Sequence, residues 1–326
     1  MNILNYESDG IQFIQVTNNK NLKVIFANLG ASLYKVNYDN YVMIRNVKDP
    51  KDYHRADIFY GKTIGRTSNR MKGHEFKCGD KYYKIEPNEG KNVLHGGVHG
   101  MSNMFFEQDV VTDDEKIVVT YTRTIRESED GYPGDINVRV RYIVFLESNE
   151  IDIQYAAKAN KDTVLSLTNH AYFMLGCRSN KGLTLQINAD KYLKTDEELL
   201  PLEKADVTPV LDFRKAKKIV KDIDAEELHT DRLNGYDHYF FVNFKGLDSK
   251  MLTLNNAKFV LDIYSDYEGI QIYSSGFDPK VELYPQVNGL FDSVAIEPSD
   301  SFEYLHGLRK DKLYSRTIKY IFSIKE

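Results

Sequence analysis

The most chemically suggestive residue of this chain is a histidine in the middle of an apolar run. His170 lies in Val164-Leu165-Ser166-Leu167-Thr168-Asn169-His170-Ala171-Tyr172-Phe173-Met174-Leu175, which reads as a mostly buried strand with a polar centre. A buried polar group without a partner costs about 1–3 kcal/mol, so this cluster must be hydrogen-bonded, functional or both. An imidazole in such a place can exchange a proton near neutrality, because small environmental shifts carry its pKa across pH 7. Taken alone, His170 fits a satisfied core histidine as well as a proton donor.

Other residues carry the same double reading. His95 precedes Gly96-Gly97, a pair that tolerates positive φ and close backbone approach; it is either a pocket residue or a solvent-facing turn histidine. Asp237 and His238 open the apolar run Tyr239-Phe240-Phe241-Val242. Strand alternation sends the two to opposite faces, so only one can face a given pocket. Glu297 closes the apolar run 293–296 and is followed by Pro298; a rigid base could stand there, and so could a solvated strand end. Arg70, in Gly65-Arg66-Thr67-Ser68-Asn69-Arg70, offers a fixed fork of donors that suits sugar hydroxyls as well as carboxylates, with an ordinary surface ion pair as the alternative.

The elements that must position these groups are strands. Ile136, Val138, Val140, Tyr142 and Val144 share one face, with Asn137, Arg139 and Arg141 on the other, a period of two. Similar runs cover 116–124, 150–159, 182–189, 259–265, 269–275 and 317–324. Between them stand turn signals such as Asn88-Glu89-Gly90, Gly131-Tyr132-Pro133-Gly134 and Tyr267-Glu268-Gly269. Helical patterning is confined to one short candidate, 224–233. Many short strands at this spacing imply an all-β antiparallel sandwich or barrel. No linker-like tract and no fixed-period repeat interrupts the chain, so one domain over residues 1–326 is expected.

Composition narrows the function classes. The 326 residues carry a net charge of −5, with both signs interspersed, so no basic stripe invites nucleic acid. No run approaches ~18 consecutive apolar residues, and no basic-then-apolar leader opens the sequence; a membrane partner is not expected. Two cysteines, Cys78 and Cys177, cannot make a disulfide scaffold, and a cytoplasmic protein with reduced thiols is the simplest reading. The 23 Tyr and 17 Phe, with no Trp, suit packing in sheets. The zinc patterns Cys-x-x-Cys and His-Glu-x-x-His are absent, as are the Walker loop, the Gly-x-Ser-x-Gly elbow and the dinucleotide fingerprint. No metal and no cofactor is expected.

Taken in order, the segments GKTIGRTSNRMKGHEF (61–76), NEGKNVLHGG (88–97), GYPGDINVRVRYI (131–143), SLTNHAYFML (166–175), YLKTDEELLP (192–201), LDFR (211–214), GYDHYFFV (235–242), EGIQIYSSGF (268–277) and VAIEP (294–298) resemble the aldose 1-epimerase, or galactose mutarotase, family. The resemblance implies a large antiparallel β-sandwich of the mutarotase type, the supersandwich. It also implies an isomerase that interconverts the α and β anomers of free hexoses such as galactose and glucose. It assigns His170 as general acid, Glu297 as general base, Arg70, His95 and Asp237 as sugar-binding groups, and Phe277 as an aromatic that packs on the sugar. A homodimer is one assembly it allows.

The residue types suit that chemistry. Opening a cyclic hemiacetal takes a proton from the anomeric hydroxyl and returns one to the ring oxygen; rotation and reclosure then invert the anomeric centre. No electron leaves the sugar, so no redox cofactor is required. Glu, with an ordinary pKa near 4.3, is a base at pH 7, whereas His, near 6.5, is mostly neutral there. The acid role therefore leads us to expect a nearby carboxylate that holds His170 as its cation.

Three departures from the family pattern are visible. Phe105 or Phe106 stands where a tryptophan is usual, and the stretches Pro298–Tyr304 and Leu308–Lys312 are altered. These changes are expected to touch the pocket rim and the choice of sugar. Arg309 and Lys310 keep open an epimerase for a phosphorylated hexose, and the altered rim allows a catalytically silent sugar-binding module.

Overall fold

The strand Ile136–Phe145 shows how alternation becomes architecture. Its even-numbered residues from Ile136 to Val144 are 2% exposed or less, while Asn137 and Arg139 face solvent. The computed structural model describes residues 1–244, 246–286 and 289–325, and nearly all of its regular structure is antiparallel strand.

A nine-stranded sheet runs in the spatial order Glu107–Thr112, Lys116–Ile125, Ile136–Phe145, Glu150–Ala159, Tyr314–Ile324, Phe259–Ser265, Gly246–Asn255, Thr184–Ile187 and Lys217–Lys218. An eight-stranded sheet follows the order Pro201–Asp206, Lys191–Thr195, Asp237–Phe241, Gly269–Tyr273, Val294–Ser299, Tyr172–Phe173, Ile44–Val47 and Leu283–Tyr284. Five further strands, from Asn2–Ser8 to Tyr41–Val42, form a third sheet. One apolar core joins the inner faces, with Val24 and Phe26 from the five-stranded sheet, Tyr142 and Ile153 from the nine-stranded sheet, and Ile270 and Ile296 from the eight-stranded sheet. This is the β-sandwich that the resemblance implied, one of the two architectures that the alternation allowed.

Two expectations are corrected. The candidate helix at 224–233 is only a 3-10 turn, Glu226–Leu228. Its polar side chains bond to backbone instead: the His229 ring contacts the Ile223 carbonyl at 2.7 Å, and Thr230 Oγ1 accepts from Leu233 N–H at 3.0 Å. Such local bonds compete with a helical ladder. The run 164–175 is likewise not one strand. It breaks into Thr163–Val164, Thr168–Asn169 and Tyr172–Phe173, each on a different partner: Gly307–Leu308, Thr63–Ile64, and the pair of strands Ile44–Val47 and Val294–Ser299. The chain crosses between sheets here, and His170 falls in the gap between two of the pieces.

That gap is clamped by Gly61 and Lys62. The Gly61 N–H donates to the His170 carbonyl at 2.8 Å, and the His170 N–H donates to the Lys62 carbonyl at 3.0 Å. The Lys62 side chain is fully buried and makes no ion pair among the described residues. Its Nζ donates to the Tyr53 carbonyl at 2.9 Å and lies 4.6 Å from the centre of the Tyr53 ring. Burial pulls the Lys62 amine down to about 7 from its ordinary 10.5. Above pH 7 the unfolded chain therefore binds one proton more than the native one, and Lys62 makes stability rise with pH by about 1.4 kcal/mol per unit. Lys62→Met should be more stable than the parent at pH 7 and should lack this part of the slope up to the unfolded-chain value. Urea unfolding of both proteins at a series of pH values measures it; parallel slopes would mean that Lys62 stays charged in the fold.

Candidate active site

The broken segment around His170 sorts its own polar residues. Thr168 Oγ1 donates to the Pro298 carbonyl at 2.8 Å, and Asn169 Nδ2 donates to the Gly61 carbonyl at 2.8 Å. Both donate to backbone and tie crossing strands together. His170 is the member that turns into a pocket. Its Nε2 lies 3.3 Å from Glu297 Oε1, and both side chains are about 95% buried. Its ring packs between Phe59 and Tyr172, with centroids 5.8 and 4.9 Å away.

Glu297 stands in the interior of the strand Val294–Ser299, not at its end, because pairing continues through Pro298 opposite Ile270. The strand Tyr172–Phe173 on its other flank pairs only with Val294 and Ala295, so the proline lies beyond that second ladder, where a missing N–H is tolerated. Gln271 sits directly across from Glu297 on the strand Gly269–Tyr273.

His95 follows the short strand Val93–Leu94, which pairs with Arg70–Met71. The turn after it works only with glycine: Gly96 has φ +88°, and a Cβ there would meet the Gly65 carbonyl oxygen at 2.1 Å. His95 Nδ1 accepts the backbone N–H of Asn69 at 3.2 Å. Its ring proton is thereby assigned to Nε2, which leaves His95 a neutral donor. Burial lowers its pKa well below the ordinary value, helped by His170 and Arg70.

A chain of polar contacts leads on from Asn69. Its Nδ2 donates to Gln271 Oε1 at 2.9 Å, and Gln271 Nε2 donates to Asp237 Oδ1 at 2.6 Å. Asp237 lies 3.6 Å from Arg70, and Arg70 donates twice to Glu89, at 2.8 and 3.0 Å. Arg70 is thus held from both sides, and neither partner is an ordinary surface ion. Asp237 and His238 do face opposite ways. Asp237 lines this pocket, whereas His238 lines a separate cavity with Tyr192 and Leu233.

The pocket has a volume of about 470 Å³, within the range of small-molecule sites. All six residues singled out in the sequence line it: Arg70, His95, His170, Asp237, Phe277 and Glu297. Phe277 is half exposed at the mouth, its N–H donating to the Tyr273 hydroxyl at 3.2 Å. Sequence reading missed Asn69, Gln271, Phe59, Tyr172 and Tyr273, which also line the pocket. Gln271 carried a usable signal, a lone amide in the apolar strand Ile270-Gln271-Ile272; the others had none.

The altered stretches lie elsewhere, contrary to the expectation that they form the rim. Asp300 pairs with Arg316, Phe302 packs on Tyr239, and Arg309 pairs with Asp162. Phe106 is the buried aromatic of its pair, and Phe105 is exposed.

Burial dominates the electrostatics. It pushes His170 down to about 3 and Glu297 well above the carboxylate range, the latter with help from Asp237. Asp237 is raised by burial against the pull of Arg70. The carboxylate expected beside His170 is present, but burial dominates the imidazole and disfavours the expected imidazolium. His95, His170 and Glu297 also bring potential ligand atoms within 4.8 Å of one another. The His95 tautomer makes them a poor cation cage, because its pocket-facing nitrogen carries a proton.

The chain as a whole is similar to known proteins. The family model for aldose 1-epimerase matches residues 12–306. Human galactose mutarotase is 33% identical over 236 residues, 69% of this chain and 65% of that protein. Aldose 1-epimerase of Escherichia coli is 30% identical over 70% of this chain and 66% of its own. The matched region thus spans about 65% of the length of such curated relatives. Among solved structures, galactose 1-epimerase from Lactobacillus acidophilus superposes with a TM-score of 0.88 at 28% identity, covering 100% of this chain and 99% of that one. An aldose epimerase homologue from Caenorhabditis elegans gives 0.84 at 26% identity, covering 97% and 100%.

The fixed tautomer of His95 is directly measurable. Nitrogen-15 spectra of the imidazoles should show His95 neutral and protonated at Nε2 throughout pH 5–8, about the ordinary histidine pKa of 6.5. A titration of His95 within that interval, or a proton on Nδ1, would contradict the Asn69 contact.

Proposed function

We propose, for a chain that belongs to the aldose 1-epimerase family, that it interconverts the α and β anomers of free hexoses such as galactose and glucose. The observation that carries this reading is the buried His170–Glu297 contact of 3.3 Å in a pocket edged by Arg70 and Asp237. Mutarotation needs one group that accepts the proton of the anomeric hydroxyl and one that protonates the ring oxygen, a few ångströms apart. The pair supplies both. Arg70 and Asp237 offer donors and an acceptor to the ring hydroxyls, the Nε2–H of His95 offers one more donor, and Phe277 offers an apolar face at the mouth.

The proton inventory of the pair follows from burial. A pair holding two protons is a buried cation, and a pair holding none is a buried anion; each is penalised. The one-proton pair has no net charge and therefore persists over a wide pH range. Burial favours that proton on Glu297. Its passage to His170 across the 3.3 Å contact leaves Glu297 ready to accept the anomeric proton and His170 ready to give one to the ring oxygen. Glu297 ends protonated and His170 neutral, and reclosure from the other face reverses the transfers.

The proposal extends to a single domain over residues 1–326, supported by one core that joins elements from Ile14 to Phe322. It extends also to a cytoplasmic setting, in keeping with two free thiols, Cys78 and Cys177. The phosphorylated-sugar reading loses its motive, because Arg309 points to Asp162 away from the pocket. A purely sugar-binding role is the other outcome of the assays below.

Polarimetry of freshly dissolved α-galactose and α-glucose should show accelerated mutarotation. Glu297→Gln and His170→Asn should each lose about 10²–10⁴ in rate while keeping the parent's melting curve; a fully active variant would remove that residue from the mechanism. The pH profile gives a second check. An isolated histidine acid would lose activity above its ordinary pKa of about 6.5, whereas a one-proton pair predicts kcat/KM level through that point. An inflection there would show His170 titrating on its own.

A further inference from the structure

A second compartment of about 370 Å³ adjoins the pocket and shares Phe277 with it. Its walls include Arg45, Tyr60, Ser275, Glu282 and Asp292. The two spaces lie along one face of the eight-stranded sheet. Asp237 is opposite Tyr273, Tyr273 opposite Ala295, Ala295 opposite Tyr172, and Tyr172 opposite Arg45. Directly opposed residues project to the same face, and Glu297, two positions after Ala295, projects there too. Asp237 is therefore two strands from Glu297 on one side, and Arg45 is two strands away on the other. Two strand spacings of ~4.8 Å and a two-residue offset along the strand put Arg45 about 12 Å from Glu297, room for one more sugar ring.

The floor of this compartment is polar and buried. Arg45 is 3% exposed and pairs with Asp292. Ser293 Oγ donates to Asp292 Oδ1 at 2.8 Å and contacts Ser275 Oγ at 3.0 Å. Arg45 Nε has no partner among the described residues. Ser275 and Gln286 add polar groups to the walls that ligand hydroxyls could meet. Each lining carboxylate stands beside a cation, Asp292 with Arg45, Glu282 with Lys48 and Asp278 with Lys280, so the walls hold no unpaired cation for a phosphate and suit uncharged hydroxyls.

The proposed reaction sets the anomeric carbon, and one choice of edge for the sugar-binding groups Asp237 and Arg70 then orients the rest of the ring. The anomeric carbon must meet Glu297 and His170. With the C2–C3 edge turned to Asp237 and Arg70, the opposite edge of the pyranose, the ring oxygen and C5, faces Tyr172 and Arg45. C5 carries C6. We propose that the compartment beside Phe277 is a second subsite, which takes an uncharged glycosyl unit attached at O6 of the aldose. This rests on the function proposed above.

NMR exchange between the reducing-end anomers of glucose, isomaltose (6-linked) and maltose (4-linked) tests it, with glucose 6-phosphate as the charged arm. Isomaltose should exceed maltose in kcat/KM by about tenfold, the equivalent of one good hydrogen bond. Glu282→Trp, at the exposed wall, should lower turnover of isomaltose about as much and leave glucose unchanged; Arg45→Met, checked for an intact melting transition, should do the same. Isomaltose no better than maltose, an equal loss on glucose and isomaltose, or glucose 6-phosphate outrunning isomaltose would each overturn the subsite. Calorimetric binding separates this from failure of the function itself. If no sugar is turned over but isomaltose binds more tightly than maltose and loses that advantage in Glu282→Trp, the subsite stands and the mutarotase reading falls; equal binding overturns the subsite.

Discussion

Two ionisable side chains held together out of water set the terms for the rest of this molecule. His170 and Glu297 are almost wholly buried and 3.3 Å apart, so either charge alone would be costly there. The pair tolerates one proton, and that proton can stand on either partner at little cost in net charge. A reaction that passes one proton in and one proton out suits such a pair. The price of the arrangement is structural, since both side chains must be delivered to one spot without a flexible loop between them.

The fold meets this demand by interrupting its own regularity. Val294–Ser299 brings Glu297 on a continuous strand with neighbours on each side. His170 arrives on a segment that takes three different pairing partners in turn within eleven residues, 163–173, and is clamped by backbone bonds to Gly61 and Lys62. The same polar economy orients the sugar-facing edge. Asn69 uses its backbone for His95 and its side chain for Gln271, and Gln271 holds Asp237. These contacts fix the directions of His95 and Asp237, which face the pocket.

The continuity of the eight-stranded sheet gives the site its length. Residues in register from Asp237 to Arg45 lie on one face, so the polar floor does not stop at the acid–base pair. It continues past Tyr172 to a buried ion pair whose arginine keeps an unused donor.

Much of this was legible in the chain, and for local reasons. Period-two alternation in 136–144, 150–159 and 259–265 identified strands with nearly the observed bounds, because the pattern records which face is wet. Turn chemistry marked His95-Gly96-Gly97, since only glycine accepts the conformation and the close contact found there. Alternation separated Asp237 from His238, and the order of motifs gave six of the residues that line the pocket. What the chain could not show depends on pairing between distant segments. Nothing local distinguishes Thr168 and Asn169, which tie strands together, from His170, which does not; the difference lies in partners more than a hundred residues away for the first two. The ionisation of His170 also belongs to the tertiary structure. A nearby carboxylate alone argues for a cation, and only the depth of burial reverses it. The sequence by itself determined which residues alternate, turn and carry acid–base chemistry; the folded chain decided which of them meet, how dry they are and where the proton rests, because desolvation and long-range pairing exist only after the sheets have closed.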